Sequence, residues 1–131
     1  MFLYTDGGAR GNPGPSSGAA VLYNDKNELV FEKTEYYGTG TNNQAEYKAL
    51  LLGINECLKT GAVRVECFLD SELVVKQLNG LYKVKEPSLS LLFAEIKALL
   101  SKFDSVVFTH IPRSKNKIAD SLVNKVLDTR S

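Results

Sequence analysis

The sequence predicts an α/β protein, one mixed five-stranded sheet with helices packed on it, and three observations carry that prediction. Two β-prone runs near the start flank the turn residues Asn24-Asp25-Lys26-Asn27. From Thr41 onward, apolar residues recur at helical spacing behind a Thr-x-x-Gln capping pattern. Past residue 62, segments that alternate like strands are each followed by helical periodicity, the pattern of βα units. The resulting element order is βββαβααβα.

The first strand covers residues 2–5 and ends at Asp6, because the following Gly7-Gly8-Ala9-Arg10-Gly11-Asn12-Pro13-Gly14-Pro15 is dominated by glycine and proline and reads as loop. Residues 19–23 and 29–37 form two antiparallel strands around the Asn24 turn, which completes a three-stranded meander. Gly38 and Gly40 close the third strand, and the capping box of Thr41 and Gln44 opens a helix. Its apolar positions are Tyr47, Leu50, Leu51, Ile54 and Leu58, with Gly61 just past the end. Val63, Val65, Cys67 and Leu69 alternate with Arg64, Glu66 and Phe68 as a strand, and Asp70-Ser71 caps a short helix over residues 73–78 that Asn79-Gly80 stops. A linker over residues 82–87 leads to a helix at 89–102 with the stripe Leu92, Ile96, Leu99 and Leu100. Residues 106–111 make the last strand, 112–116 a loop, and 118–127 a final amphipathic helix on Ala119, Leu122, Val123 and Val126.

At 131 residues and 44% hydrophobic, the chain is expected to form a single domain over residues 1–131. A chain of this size buries roughly two thirds of its unfolded surface. Sixteen basic against fifteen acidic residues give a formal charge of +1, so no global positive field draws in nucleic acid and any such binding needs a local patch. Cys57 and Cys67 sit in apolar runs and are expected to be free and buried. The apolar stretches fall far short of the roughly 20 residues of a membrane span, and residues 1–4 enter a strand without a signal-peptide layout. A cytoplasmic monomer with no membrane partner is expected.

Asp6 and Asp70 both end predicted strands, where the groups of an open α/β sheet converge on a crevice. Glu46 lies early in the first long helix, on the flank of its apolar stripe, and Asp120 in the first turns of the last helix, on the border of the Ala119/Val123 face. Brought together, such carboxylates repel, and their pKa values rise unless a cation sits among them. Hard oxygen donors select Mg²⁺ or Mn²⁺ over zinc, and two such ions about 4 Å apart suit an in-line displacement at phosphorus. The chain carries fifteen acids, and for most of them a solvated surface position or a helix cap is the ordinary fate.

Four motifs run along nearly the whole chain: Tyr4-Thr5-Asp6-Gly7-Gly8-Ala9-Arg10-Gly11-Asn12-Pro13-Gly14-Pro15, Thr41-Asn42-Asn43-Gln44-Ala45-Glu46, Asp70-Ser71-Glu72-Leu73-Val74 and Asn116-Lys117-Ile118-Ala119-Asp120. In this order and spacing they resemble the type 1 ribonuclease H family. The resemblance implies the ribonuclease H-like fold, a five-stranded sheet of three antiparallel plus two parallel strands with helices on both faces. It implies Asp6, Glu46, Asp70 and Asp120 as the catalytic set holding two Mg²⁺ ions, with Mn²⁺ as a substitute. It also implies an RNA/DNA hybrid as partner, its RNA strand cut to 3′-OH and 5′-phosphate ends, with Gly7, Gly8, Gly11, Asn12, Asn42, Asn43, Gln44 and Ser71 against it. The chemistry suits those roles: glycine lets backbone amides approach closely, and Asn donates and accepts toward bases and 2′-hydroxyls. Gly11-Asn12-Pro13-Gly14 equally fits an ordinary tight turn, and Asn42 and Asn43 equally fit helix caps.

Two departures narrow the resemblance. Many bacterial members carry a basic, aromatic-containing protrusion after the third carboxylate, whereas this chain has only residues 81–87 with Lys83 and Lys85, so it is similar to compact members and a modest, salt-dependent affinity is expected. Many members also place a His in a longer loop before the final helix. Here that loop is Pro112-Arg113-Ser114-Lys115, and the only His, His110, reads as the end of the last strand. Arg113 is therefore the expected loop residue, acting as a permanently charged phosphate contact rather than as a base. Arg113, Lys115 and Lys117 equally fit a solvated basic stretch. Another nuclease of the same superfold and a catalytically inactive binding module are the competing readings; the loop after Asp6 speaks against the first and the full set of carboxylates against the second.

Overall fold

Alternation along the N-terminal residues becomes a ladder longer than the sequence indicates. In the computed structural model, which describes residues 1–130, β1 (Phe2–Ala9), β2 (Gly14–Tyr23) and β3 (Leu29–Gly40) form the antiparallel meander. The turn between β2 and β3 is closed by Asn24, whose Oδ1 accepts from the backbone N–H groups of Lys26 and Glu28. Then follow α1 (Asn42–Lys59), β4 (Arg64–Leu69), α2 (Glu72–Leu78), α3 (Pro87–Leu100), β5 (Ser105–His110), a 3₁₀ turn (Arg113–Lys115) and α4 (Lys117–Arg130). The sheet order is β3-β2-β1-β4-β5, with β4 parallel to β1 and β5 parallel to β4. Parallel neighbours need crossovers, which α1 and the α2–α3 pair supply.

The helices divide between the two faces. Strand alternation sends Leu3, Ala20 and Leu22 to one side, where they pack with Tyr47, Leu50, Ile54 and Cys57 of α1 and with Leu89 and Ile96 of α3. Ala19 points to the other side, against Ala119, Val123 and Leu127 of α4. The capping box that opens α1 is present: Thr41 Oγ1 accepts from the Gln44 N–H at 3.1 Å, and Gln44 Oε1 accepts from the Thr41 N–H at 2.9 Å. Cys57 and Cys67 are buried and free.

Several boundaries differ from the sequence reading: β2 begins at Gly14 rather than at residue 19, α3 spans Pro87–Leu100 rather than 89–102, β5 spans Ser105–His110 rather than 106–111, and three others follow from contacts between elements. Asp6 does not end its strand: Gly7, Gly8 and Ala9 continue the ladder opposite Gly18, Ser17 and Ser16, and only residues 10–13 lie between β1 and β2. The reason is steric. A Cβ on residue 7 would lie 2.3 Å from the Ala45 carbonyl, so glycine stands there because α1 crosses the strand at backbone contact. Second, β3 runs on to Gly40 through a bulge, where Ser16 pairs with Gly38 and Ser17 with Tyr36, and Gly38 takes the positive φ of 73°. Third, α4 extends to Arg130, whose guanidinium stacks 4.5 Å from the Tyr36 ring, while Arg10 pairs with Asp128.

Candidate active site

The parallel pairing of β1 with β4 stops at Tyr4 opposite Phe68, and beyond that point the strands part. Asp6 lies on the far side of that divergence, on the sheet face that α4 covers, and Asp70 follows the last residue of β4. Glu46 projects from the second turn of α1, and Asp120 from the first turn of α4. These residues line one cleft of about 350 Å³ together with Gly7, Gly8, Asn42, Asn43, Ser71 and Arg113. A second cleft of about 360 Å³, between Tyr4, Tyr23, Lys115 and Ile118, contains no carboxylate.

One oxygen each from Asp6, Glu46 and Asp70 lies within 4.8 Å of the others. Glu46 is only 6% exposed, deeper than a position on the flank of the stripe indicates. Its Oε1 accepts from the Gly7 N–H at 3.0 Å, while Oε2 is buried with no hydrogen-bond partner among the described residues. Burial, and then the neighbouring Asp6, push the Glu46 carboxyl well above the usual range, against the Gly7 amide that pulls it down. Asp6 is pushed up to about 7, chiefly by burial, with the charges of Asp70 and Asp120 adding to the rise. Three carboxyls this close do not all hold negative charge at neutral pH unless a cation joins them. The set fits a hard divalent ion: all donors are oxygen, one buried carboxylate oxygen is orphaned, and the ionised forms lack a countercharge.

Asp120 lies outside this group of three. Its charge reaches Asp6, but its Oδ1 is paired with Arg113 Nη2 at 2.8 Å. Arg113 is held in the 3₁₀ turn rather than in an irregular loop, and its side chain is 75% exposed. His110, the last residue of β5, is exposed. The residues expected against substrate fall into two sets. Gly7, Gly8, Asn42, Asn43 and Ser71 line the cleft, although the Gly7 amide is already taken by Glu46 and Ser71 Oγ also caps α2. Gly11 and Asn12 sit in the β1–β2 turn, joined to α1 where Asn12 Oδ1 accepts from the Asn42 N–H and Asn42 Oδ1 accepts from the Ala9 N–H. Gln44 does not line the cleft; its side chain belongs to the capping box.

The sequence reading assigned no role to Asn116. This residue is 2% exposed, and its Nδ2 donates to the Thr5 carbonyl at 2.9 Å and to Asp70 Oδ2 at 3.1 Å. The signal available in the sequence was its place four residues before Asp120 at the start of a helix, which reads as a cap.

A family described as reverse transcriptase-like matches residues 4–126. The chain is 40% identical over 129 residues to "Bifunctional protein Rv2228c" of Mycobacterium tuberculosis, covering 98% of this chain and 35% of that protein. It is 40% identical over 128 residues to "Ribonuclease HI" of Halobacterium salinarum, covering 98% of this chain and 64% of that protein, so it spans less than two thirds of either relative. Among solved structures, LC11-RNase H1 in complex with RNA/DNA hybrid superposes with a TM-score of 0.94 at 43% identity, covering 98% of this chain and 97% of that one.

Proposed function

The chain belongs to the ribonuclease H family, and from that membership we propose that residues 1–131 are a catalytic domain that cuts the RNA strand of RNA/DNA hybrids endonucleolytically. The reaction we assign is hydrolysis at phosphorus with two divalent ions, Mg²⁺ or Mn²⁺ in its place, leaving 3′-OH and 5′-phosphate ends. The observation that carries it is the cluster of Asp6, Glu46 and Asp70, one oxygen of each within 4.8 Å of the others, in which burial raises the pKa values of Asp6 and Glu46 and marks a site short of positive charge. A bound divalent ion supplies that charge, stabilising negative charge on the phosphate and easing the deprotonation of water.

In this reading Asp6, Glu46 and Asp70 hold metal, and Asp120 closes the cleft from α4 as the fourth carboxylate. Arg113 stays protonated at every working pH, and its exposed side chain exchanges Asp120 for a substrate phosphate at little cost in burial. The Nδ2 groups of Asn12 and Asn42 are neutral donors on the surface beside the cleft, suited to base edges and 2′-hydroxyls. We also assign the chain a monomeric state and a cytoplasmic location. A module that binds hybrid without cutting it is the alternative, and four carboxylates lining one cleft weigh against it.

The test is incubation with end-labelled RNA/DNA, RNA/RNA and DNA/DNA duplexes, with Mg²⁺ and with EDTA. Cutting confined to the RNA strand of the hybrid and abolished by EDTA is expected. Cleavage that survives EDTA, equal cutting of the DNA strand, or a 2′,3′-cyclic phosphate product would refute the assignment.

A further inference from the structure

We propose that Asn116 is a positioning residue for the metal centre: its one side-chain amide ties Asp70 to the strand that carries Asp6, and so sets the spacing at which the carboxylates meet an ion. The inference rests on the reading of the trio as a divalent-metal site.

A carboxylate torsion is broad and roughly two-fold, so a half-buried Asp at the open end of a strand turns freely unless something holds one oxygen. Asn116 supplies that hold. Its Nδ2 carries two protons and spends both, one on Asp70 Oδ2 and one on the carbonyl of Thr5, the residue preceding Asp6. The Asn116 backbone carbonyl also accepts from the Asp120 N–H at 3.1 Å, and its N–H donates to the Arg113 carbonyl at 2.9 Å. One buried residue thus touches the segments bearing Asp6, Asp70, Asp120 and Arg113.

The residue type follows from the job. A Lys or Arg could donate to both oxygens but would place a cation beside Asp70 in competition with the metal. An Asp has nearly the same shape but no donor, and adds a negative charge to a cluster already short of positive charge. Asn is neutral and donates twice. Glu46 is held in the same manner, by the uncharged Gly7 N–H, whereas the more exposed Asp120 is the carboxylate left to a cation. Groups that orient metal ligands typically account for about 10- to 100-fold in metal affinity or activity.

The experiment compares wild type, Asn116→Ala and Asn116→Asp with Ile96→Ala, a substitution in the buried face of α3 that weakens the fold away from the cleft. For each protein the Mg²⁺ concentration at half-maximal hybrid cleavage, the KM for hybrid and the Mg²⁺-induced rise in melting temperature are measured. The expected result for both Asn116 variants is at least about a tenfold increase in half-saturating Mg²⁺, with hybrid KM within about twofold and a smaller Mg²⁺-induced rise in melting temperature. Ile96→Ala should lower the melting temperature without moving the Mg²⁺ requirement. A shift below about twofold in the Asn116 variants, or an equal shift in Ile96→Ala, would overturn the proposal. Should the Asn116 variants not fold, ¹⁵N spectra of wild type decide: the Asn116 side-chain amide must shift on Mg²⁺ titration, and a still resonance overturns the proposal. A wild type with neither Mg²⁺-dependent cleavage nor a Mg²⁺-dependent melting temperature would overturn the reading of the site itself, and this inference with it.

Discussion

Replacing Asp6 by Asn should make the metal-free protein more stable while abolishing turnover, and the size of the effect follows from the burial of the site. Asp6 has an ordinary pKa of 3.8 and is pushed up to about 7 in the folded chain. Below pH 3.8 the carboxyl is protonated in both states and folding is unaffected. Between pH 4 and 7 the unfolded chain releases the proton that the folded chain keeps, so stability falls as pH rises, and above pH 7 the loss levels off. Integrated over that window the cost is about 4 kcal/mol at pH 8 and roughly 1.6 kcal/mol at pH 5. Sharing of the charge with Glu46 and entry of water reduce the recoverable part to about half, or roughly 6–10 °C in melting temperature for a domain of this size. Calorimetry in EDTA at pH 8 and pH 5 measures both values. The gain of Asp6→Asn over wild type should be larger at pH 8, and saturating Mg²⁺ should shrink or reverse it, because a ligand that binds only the folded state stabilises wild type by mass action. An Asp6→Asn protein that melts below wild type in EDTA at pH 8, or a gain that does not change with pH, would refute the argument. So would activity above about a tenth of wild type, since in the proposed site the loss of Asp6 should cost several orders of magnitude.

Arg113→Ala is expected to lower kcat by roughly ten- to a hundredfold, the loss of a charged phosphate contact worth about 1.5 to 3 kcal/mol; His110→Ala, at the exposed end of β5, should cost less turnover, and steady-state kinetics on the two variants ranks them. Gly7→Ala should destabilise by about 3 kcal/mol or more, because its Cβ would lie 2.3 Å from the Ala45 backbone and the shift would carry Glu46 with it; urea unfolding measures the loss. Gln44→Ala should cost roughly 1 kcal/mol of stability and leave the hybrid KM within about twofold, as expected of a cap. A tenfold rise in KM at unchanged stability would return Gln44 to the substrate contacts.

The elements were legible in the sequence because their causes are local. The turn at Asn24, the Thr41/Gln44 capping box, the helical stripe from Tyr47 to Leu58 and the alternation around Cys67 act over a few residues, and each produced the element its pattern indicates. The βββαβααβα order then left few ways to bury the apolar faces, and the mixed sheet with α1 and α4 on opposite sides is one of them. The four motifs of the resemblance single out Asp6, Glu46, Asp70 and Asp120 among the fifteen acids. What local pattern does not encode is how far one element intrudes on another. Glycines 7 and 8 read as loop because glycine usually breaks a strand, yet Gly7 extends β1 since α1 leaves no room for a side chain. Glu46 read as a flank position, and the same close crossing buries it. Asn116 read as the end of a loop, but its partners are 46 and 111 residues away, and only the closing of α4 onto the sheet brings them within hydrogen-bond reach. The pairing of Asp120 with Arg113 is likewise a matter of how the 3₁₀ turn sets α4 against the cleft. Periodicity and capping, read along the chain, determined the elements; contacts between residues distant in sequence decided which carboxylates are buried, which are tethered and which remain open to solvent.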